Sequence, residues 1–545
     1  MASRRDELNA YSFARKRTNA AFLKPLPNGS IESAPKPLKA VVPSIVVGVL
    51  ILVGFGACGI IKPVAPQGWD TVGANVLVGD ESTTRYVVLP NTDSDGHKQK
   101  LLHPVLNLAS ARLLLDPDKF NVLKVKESEL DGKLPHGPAV GIPYAPDRLP
   151  NAKTADKPKV WAVCNRPGSG TNSKPQQSVF VLDGKDKQLV NDTTKGKLDF
   201  HHALYVEDEE GKKWLVDHNG MAFPFDSARG GWNAPGGKEA GDEALRQIVF
   251  GSKAEPQKVT DQFMGTLLKV DKLPITMPVV PGVGSTTTDS QVPEKAKRVG
   301  SLLVDSDGQK YVVLKDGVEQ VSNFVANLLE QGANASSLSS DHQPLTPVSV
   351  STGIRAKRDD ADHPKVWYGD IMGVPLPWPT EDISVANDFK NASQTGGLTT
   401  PTNNGVSCSV YNGTSTKYPG ADKLGFPNGV PDMGTWVGKD YPAKIAPGAT
   451  AYVTPGSGLL YRQVSTPSAT SGSLFLVTDT GLRYSIPENN DGADKAGKAD
   501  QDQGQSQLRL GYKGAHPPLV LKAWSELLSA GPSLDAQSAK KPQAS

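Results

Sequence analysis

Cysteine offers the clearest chemistry in this chain, because thiols form disulfides, bind metals and act as nucleophiles. The 545 residues include three cysteines, and two of them, Cys164 and Cys408, lie far along the chain from Cys58. No C-x-x-C pair is present. Cys164 and Cys408 are therefore candidates for one disulfide or, alternatively, for a free reactive thiol pair.

Phosphate-binding and hydrolase motifs would point to catalysis. The nearest match to a phosphate-binding loop, residues 282–286, reads GVGST; it lacks the lysine and lies in a Pro-rich segment rather than between a strand and a helix. The chain has no GxSxG elbow and no HExxH zinc motif. The motifs give no support for catalysis, and we expect no cofactor.

Acidic turns and paired histidines raise the question of a metal site. Asp93–Gly96 and Asp305–Gly308 both read DSDG, the start of a calcium loop, but neither continues with the later ligands. We interpret both as hairpin turns. His201 and His202 stand near the acidic run Glu207–Glu210, where a solvated strand edge is favoured over metal binding. We predict no metal site.

One uncharged apolar run, Ala40–Ile61, determines where the rest of the chain lies. Its 22 residues, as a helix rising 1.5 Å per residue, match the roughly 30 Å hydrocarbon core of a bilayer. We predict a single transmembrane helix over residues 40–61, retained rather than cleaved as a signal peptide. Lipidation at Cys58 is disfavoured, because the run continues past it and Phe55 stands where a lipobox has leucine.

Positive charge before this run sets the expected orientation. Eight lysines and arginines precede it against three acidic residues. Positive flanks favour the cytoplasm, so we predict a single-pass protein of the cell membrane with a cytoplasmic N-terminal segment, 1–39, and an extracytoplasmic C-terminal region. The basic cluster Arg15, Lys16 and Arg17 either binds a cytoplasmic partner or anionic lipid, or serves topology alone.

Composition argues against nucleic-acid binding and favours a β-rich outer region. The formal net charge is +2 and the sequence pI is about 8.1, so no strong positive field is present. With 54 glycines and 44 prolines, the chain is expected to form many turns and short strands. In an oxidising outer compartment, two cysteines favour one disulfide over free thiols.

A short α+β pattern recurs four times: two β-rich runs joined by a tight turn, then a helical stretch. The hairpins are predicted at Asn75–Leu89, Ala203–Val216, Leu302–Leu314 and Leu474–Ile486. Their helices are predicted over His103–Leu115, Asp242–Val249, Val318–Leu329 and Leu519–Leu528. Each copy is expected to be a module with a small core of its own.

The two segments that lack this unit, 116–200 and 350–460, hold one cysteine each. We predict that they pair as a discontinuous β-rich central domain clamped by the disulfide, with a linker over 273–292. The polar end of the chain is expected to be disordered. The predicted α+β chain thus comprises a cytoplasmic segment 1–39, a transmembrane helix 40–61, a first module 70–115, a first central segment 116–200, a second module 201–272, a third module 293–345, a second central segment 350–460, a fourth module 461–530 and a tail 531–545.

The order of short motifs along the chain resembles the EccB family. The run Ala10–Phe22 is similar to that family's cytoplasmic segment, and Leu102–Leu113, LHPVLNLASARL, to its most distinctive motif. Further similar segments follow in the family's order: Gly141–Pro146, Trp161–Cys164, Leu476–Tyr484, Leu510–Tyr512 and Leu527–Asp535. A polar insertion after Ile486 and the acidic turn Glu207–Glu210 depart from the family pattern.

Resemblance to EccB implies a membrane component of the actinobacterial type VII (ESX) secretion system. It implies assembly with EccC (the motor ATPase), EccD, EccE, the protease MycP and further copies of the chain. It also implies a β-rich central domain, four repeat modules similar to phage-lysin cell-wall-binding folds, and a disulfide between Cys164 and Cys408. Some family members are labelled ATPases, a label that no phosphate-binding loop in this sequence supports.

The resulting hypothesis is a non-enzymatic structural subunit that anchors and organises the extracytoplasmic region of a type VII secretion complex. Two hypotheses compete with it: an ATP-hydrolysing component and a cell-wall-binding envelope protein. One helix cannot form a pore alone, so transport has to come from assembly with other subunits. The lipid bilayer is an expected partner, and nucleic acid is not.

Overall fold

The computed structural model describes most of the chain. It covers residues 3–23, 38–60, 65–92, 96–168, 174–339, 343–351, 353–356, 378–387, 405–417, 426–487 and 505–543. For residues 23, 38–40, 54 and 56–60 it describes the backbone alone.

Helices and strands alternate in short elements along these residues. The helices are α1 Arg4–Leu23, α2 Leu38–Ile60, α3 Leu108–Leu114, α4 Glu127–Lys133, α5 Ala152–Ala155, α6 Gln188–Asn191, α7 Gly237–Phe250, α8 Asp261–Thr266, α9 Asn323–Gln331, α10 Ala333–Leu338, α11 Gln505–Arg509, α12 Lys522–Ser525 and α13 Ala536–Lys540. The strands are β1 Asn75–Gly79, β2 Arg85–Thr92, β3 Lys98–Pro104, β4 Asn121–Val125, β5 Val160–Arg166, β6 Gln176–Leu182, β7 His202–Glu207, β8 Lys213–Val216, β9 Met221–Pro224, β10 Gln257–Lys258, β11 Leu268–Lys269, β12 Leu302–Val304, β13 Lys310–Leu314, β14 Gly317–Val321, β15 Val348–Ser349, β16 Ser384–Val385, β17 Val406–Thr416, β18 Val430–Gly438, β19 Ala451–Val453, β20 Gly458–Val464, β21 Ser473–Thr478, β22 Leu482–Ile486, β23 Leu519–Leu521 and β24 Ser529–Ala530.

Among the described residues, four of the five sheets share one strand order. Three antiparallel strands form a meander, and a later strand returns in parallel beside the first. We call them the first sheet (β3-β2-β1-β4), the second (β10-β7-β8-β9-β11), the third (β14-β13-β12-β15) and the fourth (β23-β20-β21-β22-β24). The second and fourth sheets carry one more parallel strand beside the last strand of the meander. In the second sheet, β16 also pairs in parallel with β7. The chain is therefore a mixed α+β protein, as predicted.

The hairpin between β12 and β13 shows how such a meander is closed. Asp305 Oδ1 accepts hydrogen bonds from the backbone N–H groups of Asp307 (3.0 Å) and Gln309 (2.9 Å), and Oδ2 accepts one from the Tyr311 hydroxyl (3.0 Å). Gly308 has a φ of +82°, a conformation that glycine adopts without steric cost. This DSDG sequence is a hairpin turn, as predicted, and its first carboxylate is engaged within it. Residues 93–95 of the other DSDG sequence lie outside the described residues.

Strand replaces part of the predicted helix in the first, third and fourth sheets. Residues Gly317–Val321 form β14, and α9 begins after Ser322, whose hydroxyl accepts from the Val325 N–H at 3.2 Å as its N-cap. Likewise, α3 begins only after Asn107, and Leu519–Leu521 is strand β23. Short apolar runs fit either period, so pairing with a neighbouring strand decides between them. The helix predicted over Asp242–Val249 lies within α7 and is confirmed.

Two sheets extend past predicted boundaries, and the predicted tail is folded. Strand β4 pairs in parallel with β1, so the first sheet continues beyond residue 115 into the segment predicted to be central. Strand β15 pairs with β12 and carries the third sheet beyond residue 345. The end of the chain, predicted to be disordered, instead contains α13, with Leu534 and Ala539 fully buried. Apolar side chains spaced along a polar segment are enough to dock it.

Cores within the molecule are partly separate and partly shared. The first and third sheets each have a small core of their own, as predicted. For the second and fourth sheets that prediction is wrong, because their buried side chains lie in cores shared with other sheets. A larger core joins the first and fourth sheets and includes Val76 and Leu476. Another joins the second, third and fourth sheets to the remaining sheet, β18-β17-β5-β6-β19, and includes Leu215, Phe324 and Tyr461. Ile275, in the predicted linker, is fully buried in that same core, so the linker belongs to the packed structure.

Two arginines join the first and fourth sheets by capping each other's helices. Arg509, at the end of α11, donates from Nη1 to the carbonyl oxygens of Leu113 (3.2 Å) and Leu115 (3.0 Å) at the end of α3. Arg112, in α3, donates from Nη1 to the Leu510 carbonyl oxygen just after α11 (3.4 Å). The last carbonyls of a helix have no partner within it, so each guanidinium satisfies groups that the other helix leaves open.

Candidate functional site

The remaining sheet, which we call the central sheet, holds the two cysteines predicted to pair. Its order is β18-β17-β5-β6-β19, so it combines strands from both segments assigned to the central domain. Cys164 on β5 lies opposite Cys408 on β17, both side chains are fully buried, and a disulfide joins them across 244 residues of sequence. The loop that this bond closes contains the second and third sheets.

A buried polar network lies beside the disulfide. Gln257 on β10 is fully buried, and its Oε1 accepts from Ser407 Oγ (2.7 Å) and Asn387 Nδ2 (3.1 Å). Its Nε2 donates to the carbonyl oxygens of Gly405 (3.2 Å) and Asn165 (3.4 Å). Ser407 and Asn165 each neighbour one of the two cysteines in sequence. One side chain from the second sheet therefore contacts both cysteine-bearing strands of the central sheet.

Asn387 and Asn165 extend this network into the second sheet. Asn387 Oδ1 accepts from the Tyr205 N–H (3.0 Å), and its Nδ2 donates to the Tyr205 carbonyl oxygen (2.9 Å). Asn165 Oδ1 accepts from the N–H of Thr260, the N-cap of α8, at 3.2 Å. Buried polar groups need partners to offset the loss of water. The network therefore fixes how the second sheet docks on the central sheet.

Sequence analysis does not find this network. The partners of Gln257 and Asn387 lie between 92 and 182 residues away along the chain. A single amide side chain has no periodicity and no motif that marks it as buried. The pairing of β5 with β17 brings Asn165 beside Ser407, and the pairing of β10 and β16 with β7 brings Gln257 and Asn387 to Tyr205.

A buried ion pair lies at the other end of β5. The ammonium group of Lys159, which is 2% exposed, contacts the Asp183 carboxylate and donates to the Thr154 carbonyl oxygen (3.2 Å). Asp183 Oδ2 also accepts from Ser457 Oγ (3.0 Å), just before the fourth sheet. Burial alone would raise the pKa of Asp183, but hydrogen bonds from Lys159, the Gly184 N–H and Ser457 hold it below its usual value. The Asp183 carboxylate is therefore ionised at neutral pH, and its contacts link the central and fourth sheets.

The basic cluster Arg15, Lys16 and Arg17 lies in α1, and all three side chains are exposed. It is separate from the buried cysteine pair. Residues 24–37 of the predicted cytoplasmic segment lie outside the described residues. The structure therefore gives the cluster a helical position, and its binding role stays a prediction.

Helix α2 covers the apolar run and has Pro43 inside it. The large apolar side chains described on it are exposed, from Val41 at 48% to Phe55 at 78%. Across the residues described, no helix meets both the length and the apolarity required of a membrane span. Crossing of the membrane by residues 40–61 stays a prediction.

The nearest match to a phosphate-binding loop is a turn closed by its own hydrogen bonds. The Gly284 N–H donates to the Val299 carbonyl oxygen at 2.9 Å, and Thr286 forms a β-bridge with Arg298. A phosphate cradle instead presents several free N–H groups, usually at the start of a helix. Residues 282–286 do not have that arrangement.

The paired histidines are not gathered into a metal site. His202 Nδ1 lies 2.6 Å from Asp199 Oδ1, at the start of β7. The sequence predicts a solvated strand edge here. Strand β7 is instead an inner strand, because β10 and β16 both pair with it in parallel. Within the described residues of the chain, no three side chains of His, Cys, Asp or Glu are placed to hold a metal ion.

Comparison with known protein families decides what kind of protein this is. The family model for EccB, described as "Type VII secretion system ESX-1, transport TM domain B", matches residues 1–543. The chain belongs to the EccB family. This confirms the resemblance found in the motifs and makes the chain a member of a family of type VII secretion components.

Curated relatives of this EccB-family chain carry ATPase names. The "ESX-3 secretion system ATPase EccB3" of Mycolicibacterium smegmatis is 29% identical over 479 residues, covering 84% of this chain and 77% of that protein. The "ESX-1 secretion system ATPase EccB1" of the same species is 28% identical over 323 residues, 58% of each chain. The match therefore spans little more than half the length of that EccB1.

Solved structures share the fold at low identity. A chain of the "intact ESX-5 inner membrane complex, Composite C3 model" matches with a TM-score of 0.52 and 19% identity, covering 100% of this chain and 96% of that one. A chain of the "EccB3 dimer from the ESX-3 core complex" matches with a TM-score of 0.51 and 22% identity, covering 86% and 99%. The mixed α+β architecture with several sheets is thus that of EccB structures.

Proposed function

We propose that this chain is a structural, membrane-anchored subunit that organises the extracytoplasmic region of a type VII secretion complex. The family match over residues 1–543 carries the proposal, because it includes the apolar helix and all the sheets in one unit. Similar chains were solved within an ESX-5 inner membrane complex and an ESX-3 core complex. The buried polar groups described above serve to join sheets, which suits a scaffold.

Helix α2 is the proposed anchor. Its 23 residues extend about 35 Å as an α-helix, enough for the roughly 30 Å hydrocarbon core. Consecutive apolar side chains from Ile45 to Val47 and from Val49 to Val53 are exposed, so the helix is apolar all round. Such a surface needs lipid or partner helices around it. With the basic residues before it, the N-terminus is proposed inside and the sheets outside.

Assembly with other subunits completes the proposal. One similar chain was solved as a dimer and another within a C3 assembly. We infer that this chain associates with copies of itself and with EccC, EccD, EccE and MycP. In an oxidising outer compartment, the bond between Cys164 and Cys408 would hold the second and third sheets against the central sheet.

Co-purification from actinobacterial membranes tests the proposal. The full chain, tagged at its C-terminus and extracted in mild detergent, is expected to bring down an EccC-like motor ATPase. A double variant, Leu50→Arg with Leu52→Arg, should lose both membrane insertion and the partner, since a charged residue at the centre of a bilayer is strongly unfavourable. Recovery of the membrane-inserted wild-type chain without partner subunits would refute the proposal.

Charge-retaining variants separate recognition of the basic cluster by a cytoplasmic partner from effects of its charge on lipid binding or topology. Replacing Arg15, Lys16 and Arg17 by alanine removes the charge, whereas Arg15→Lys with Arg17→Lys keeps it. If the cluster acts through charge on topology or lipid, the lysine variant should behave as wild type. If a partner binds the guanidinium groups specifically, the lysine variant should lose that partner, while the orientation of the chain in the membrane stays unchanged.

The names of the curated relatives provide a second candidate, an ATP-hydrolysing component. The turn at residues 282–286 speaks against a phosphate cradle there. ATP turnover by the detergent-solubilised full chain, above that of a mock purification from cells lacking it, would favour this candidate. Turnover equal to the mock would favour the scaffold. The cell-wall-binding hypothesis stays a prediction, checked by retention of the chain on purified peptidoglycan.

A further inference from the structure

A cleft lies between the second sheet and the segment 378–383 that leads into β16. Its volume is about 190 Å³, which is roughly the share of six water molecules in the liquid. Aromatic, histidine, acidic and amide side chains line the cleft, among them Phe200, His202, Asp217, His218, Asn219 and Trp378. The cleft is therefore large enough for one side chain or a small ligand and too small for a polymer.

Asp217, in the turn between β8 and β9, is the acidic residue of this cleft and is only 7% exposed. Its Oδ1 accepts from the backbone N–H groups of Met221 (2.8 Å) and Asn219 (2.9 Å). Its Oδ2 has the Asn219 side-chain amide at 3.5 Å, the outer limit of a hydrogen bond. Burial raises the pKa of Asp217 to about 6, and hydrogen bonds from Met221 and Asn219 offset only part of that effect. Within the part of the chain that the structure describes, no cation acts as its counter-charge.

The two histidines that line the cleft form no ion pair with Asp217. His202 is already paired with Asp199, at 2.6 Å. Burial lowers the pKa of His218; the nearby Asp199 carboxylate favours its protonated form and the Lys197 ammonium disfavours it. His218 is therefore neutral at pH 7. Asp217 thus has no ion-pair partner among the described residues.

Aromatic rings form other stretches of the wall. Phe200 is 52% exposed and packs beside His201, with ring centroids 4.2 Å apart. Trp378 is 3% exposed and meets Phe324 edge to face, with centroids 6.2 Å apart. Aromatic faces attract cations, most strongly where water is excluded. A buried carboxylate beside aromatic rings is the combination that suits an ammonium group.

We propose that this cleft binds a primary alkylammonium group, with Asp217 as its counter-ion and Phe200 and Trp378 as its walls. An ammonium group has three N–H donors and no acceptor, so it can donate to Asp217 Oδ2. Among the described residues, that oxygen has one long contact, to the Asn219 amide at 3.5 Å. A lysine side chain or a small amine fits the volume. The site does not depend on the role in secretion, which would stand if the site failed.

Ligand-observed saturation-transfer NMR on the full chain in detergent tests the proposal. The probe is the peptide N-acetyl-Gly-Lys-Gly-amide, whose single ammonium is on the lysine side chain. Saturable binding is expected at pH 7.5, with the Nε-acetylated peptide binding about tenfold more weakly or worse. Glucosamine, as a second primary amine, distinguishes the source: tighter binding than the peptide indicates a small amine, and weaker binding indicates a lysine side chain.

Variants locate the binding. Asp217→Asn keeps the Oδ1 acceptor of the turn and removes the charge, so the fold is retained while affinity should fall about tenfold. Phe200→Ala, at an exposed ring, should weaken binding several-fold without touching the carboxylate. Asp271→Asn, an exposed carboxylate outside the cleft, is the matched control and should bind as wild type. Equal affinity of wild type and Asp217→Asn, or no saturable binding of either amine, would overturn the proposal.

Discussion

Replacing Gln257 by leucine would show whether the buried network holds the second sheet on the central sheet. In the wild type, this side chain has four hydrogen-bond contacts beside the disulfide. Leucine fills a similar space and makes none of them. The change therefore removes polar partners while leaving the packing volume almost the same.

The expected loss of stability follows from the groups left behind. Ser407 Oγ and the Gly405 carbonyl oxygen would be buried without their Gln257 partner, at about 1–3 kcal/mol each. The contact to the Asn165 carbonyl oxygen, at 3.4 Å, is long and is assigned no energy. Asn387 keeps its two hydrogen bonds to Tyr205. Burying leucine returns about 1 kcal/mol of hydrophobic stabilisation. The free energy of unfolding should fall by about 3 kcal/mol.

Two readouts on the full chain measure this effect. Urea unfolding followed by tryptophan fluorescence gives the stability, and reduction of the buried disulfide, followed by mass spectrometry, gives the local opening. Both stability and resistance to reduction should fall in Gln257→Leu. Gln262→Leu is the matched control, because Gln262 is exposed and its Oε1 accepts one hydrogen bond, from Nε2 of the half-buried Gln177 at 2.9 Å. If both variants behave alike in both assays, the network does not hold the sheets together.

Three further predictions concern charge, backbone strain and redox state. Asp217→Asn should raise the melting temperature at pH 7.5 and match wild type near pH 4. The folded-state pKa of Asp217, about 6, exceeds the unfolded value of 3.8, so its ionisation destabilises the fold as pH rises between these values. The full loss of folding free energy is about 3 kcal/mol. Tyr144 and Thr83 have φ of +64° and +58°, a conformation that strains most residues other than glycine. Replacing either by glycine should leave the free energy of unfolding unchanged or raise it by up to about 1 kcal/mol in thermal unfolding, whereas glycine at an ordinary φ lowers it. Thiol labelling mapped by mass spectrometry should reach Cys164 and Cys408 only after reduction; labelling of both before reduction would contradict the disulfide.

Local patterns in the sequence predict much of the fold. The turn at Asp305–Gly308 determines a hairpin because its carboxylate and glycine act within four residues of each other. The helix over Asp242–Val249 follows from one apolar face and is found within α7. The cysteine pair depends on distant segments, and counting cysteines in an oxidising compartment is enough to indicate a pair. The turn and the helix depend on residues close together in sequence, and the cysteine pair follows from there being only two cysteines after the apolar run.

Features that depend on docking are not predictable in this way. Nothing in the sequence around Arg112 and Arg509 distinguishes them from surface arginines. Each nevertheless caps a helix almost 400 residues away along the chain. Strand β14 is indistinguishable from the start of a helix until β13 lies beside it. The Asp217 cleft needs the second sheet and segment 378–383 together. In each case the deciding contact is made by an element that no local pattern identifies.

The mass of the detergent-extracted assembly shows whether the chain is one subunit of a larger complex. The full chain, isolated from its own membranes, should elute with stoichiometric EccC-like, EccD-like and EccE-like subunits and more than one copy of itself. Native mass spectrometry of that fraction would then give a mass far above the 57.8 kDa of one chain. A folded, membrane-extracted chain found as a lone 57.8 kDa monomer would contradict the account.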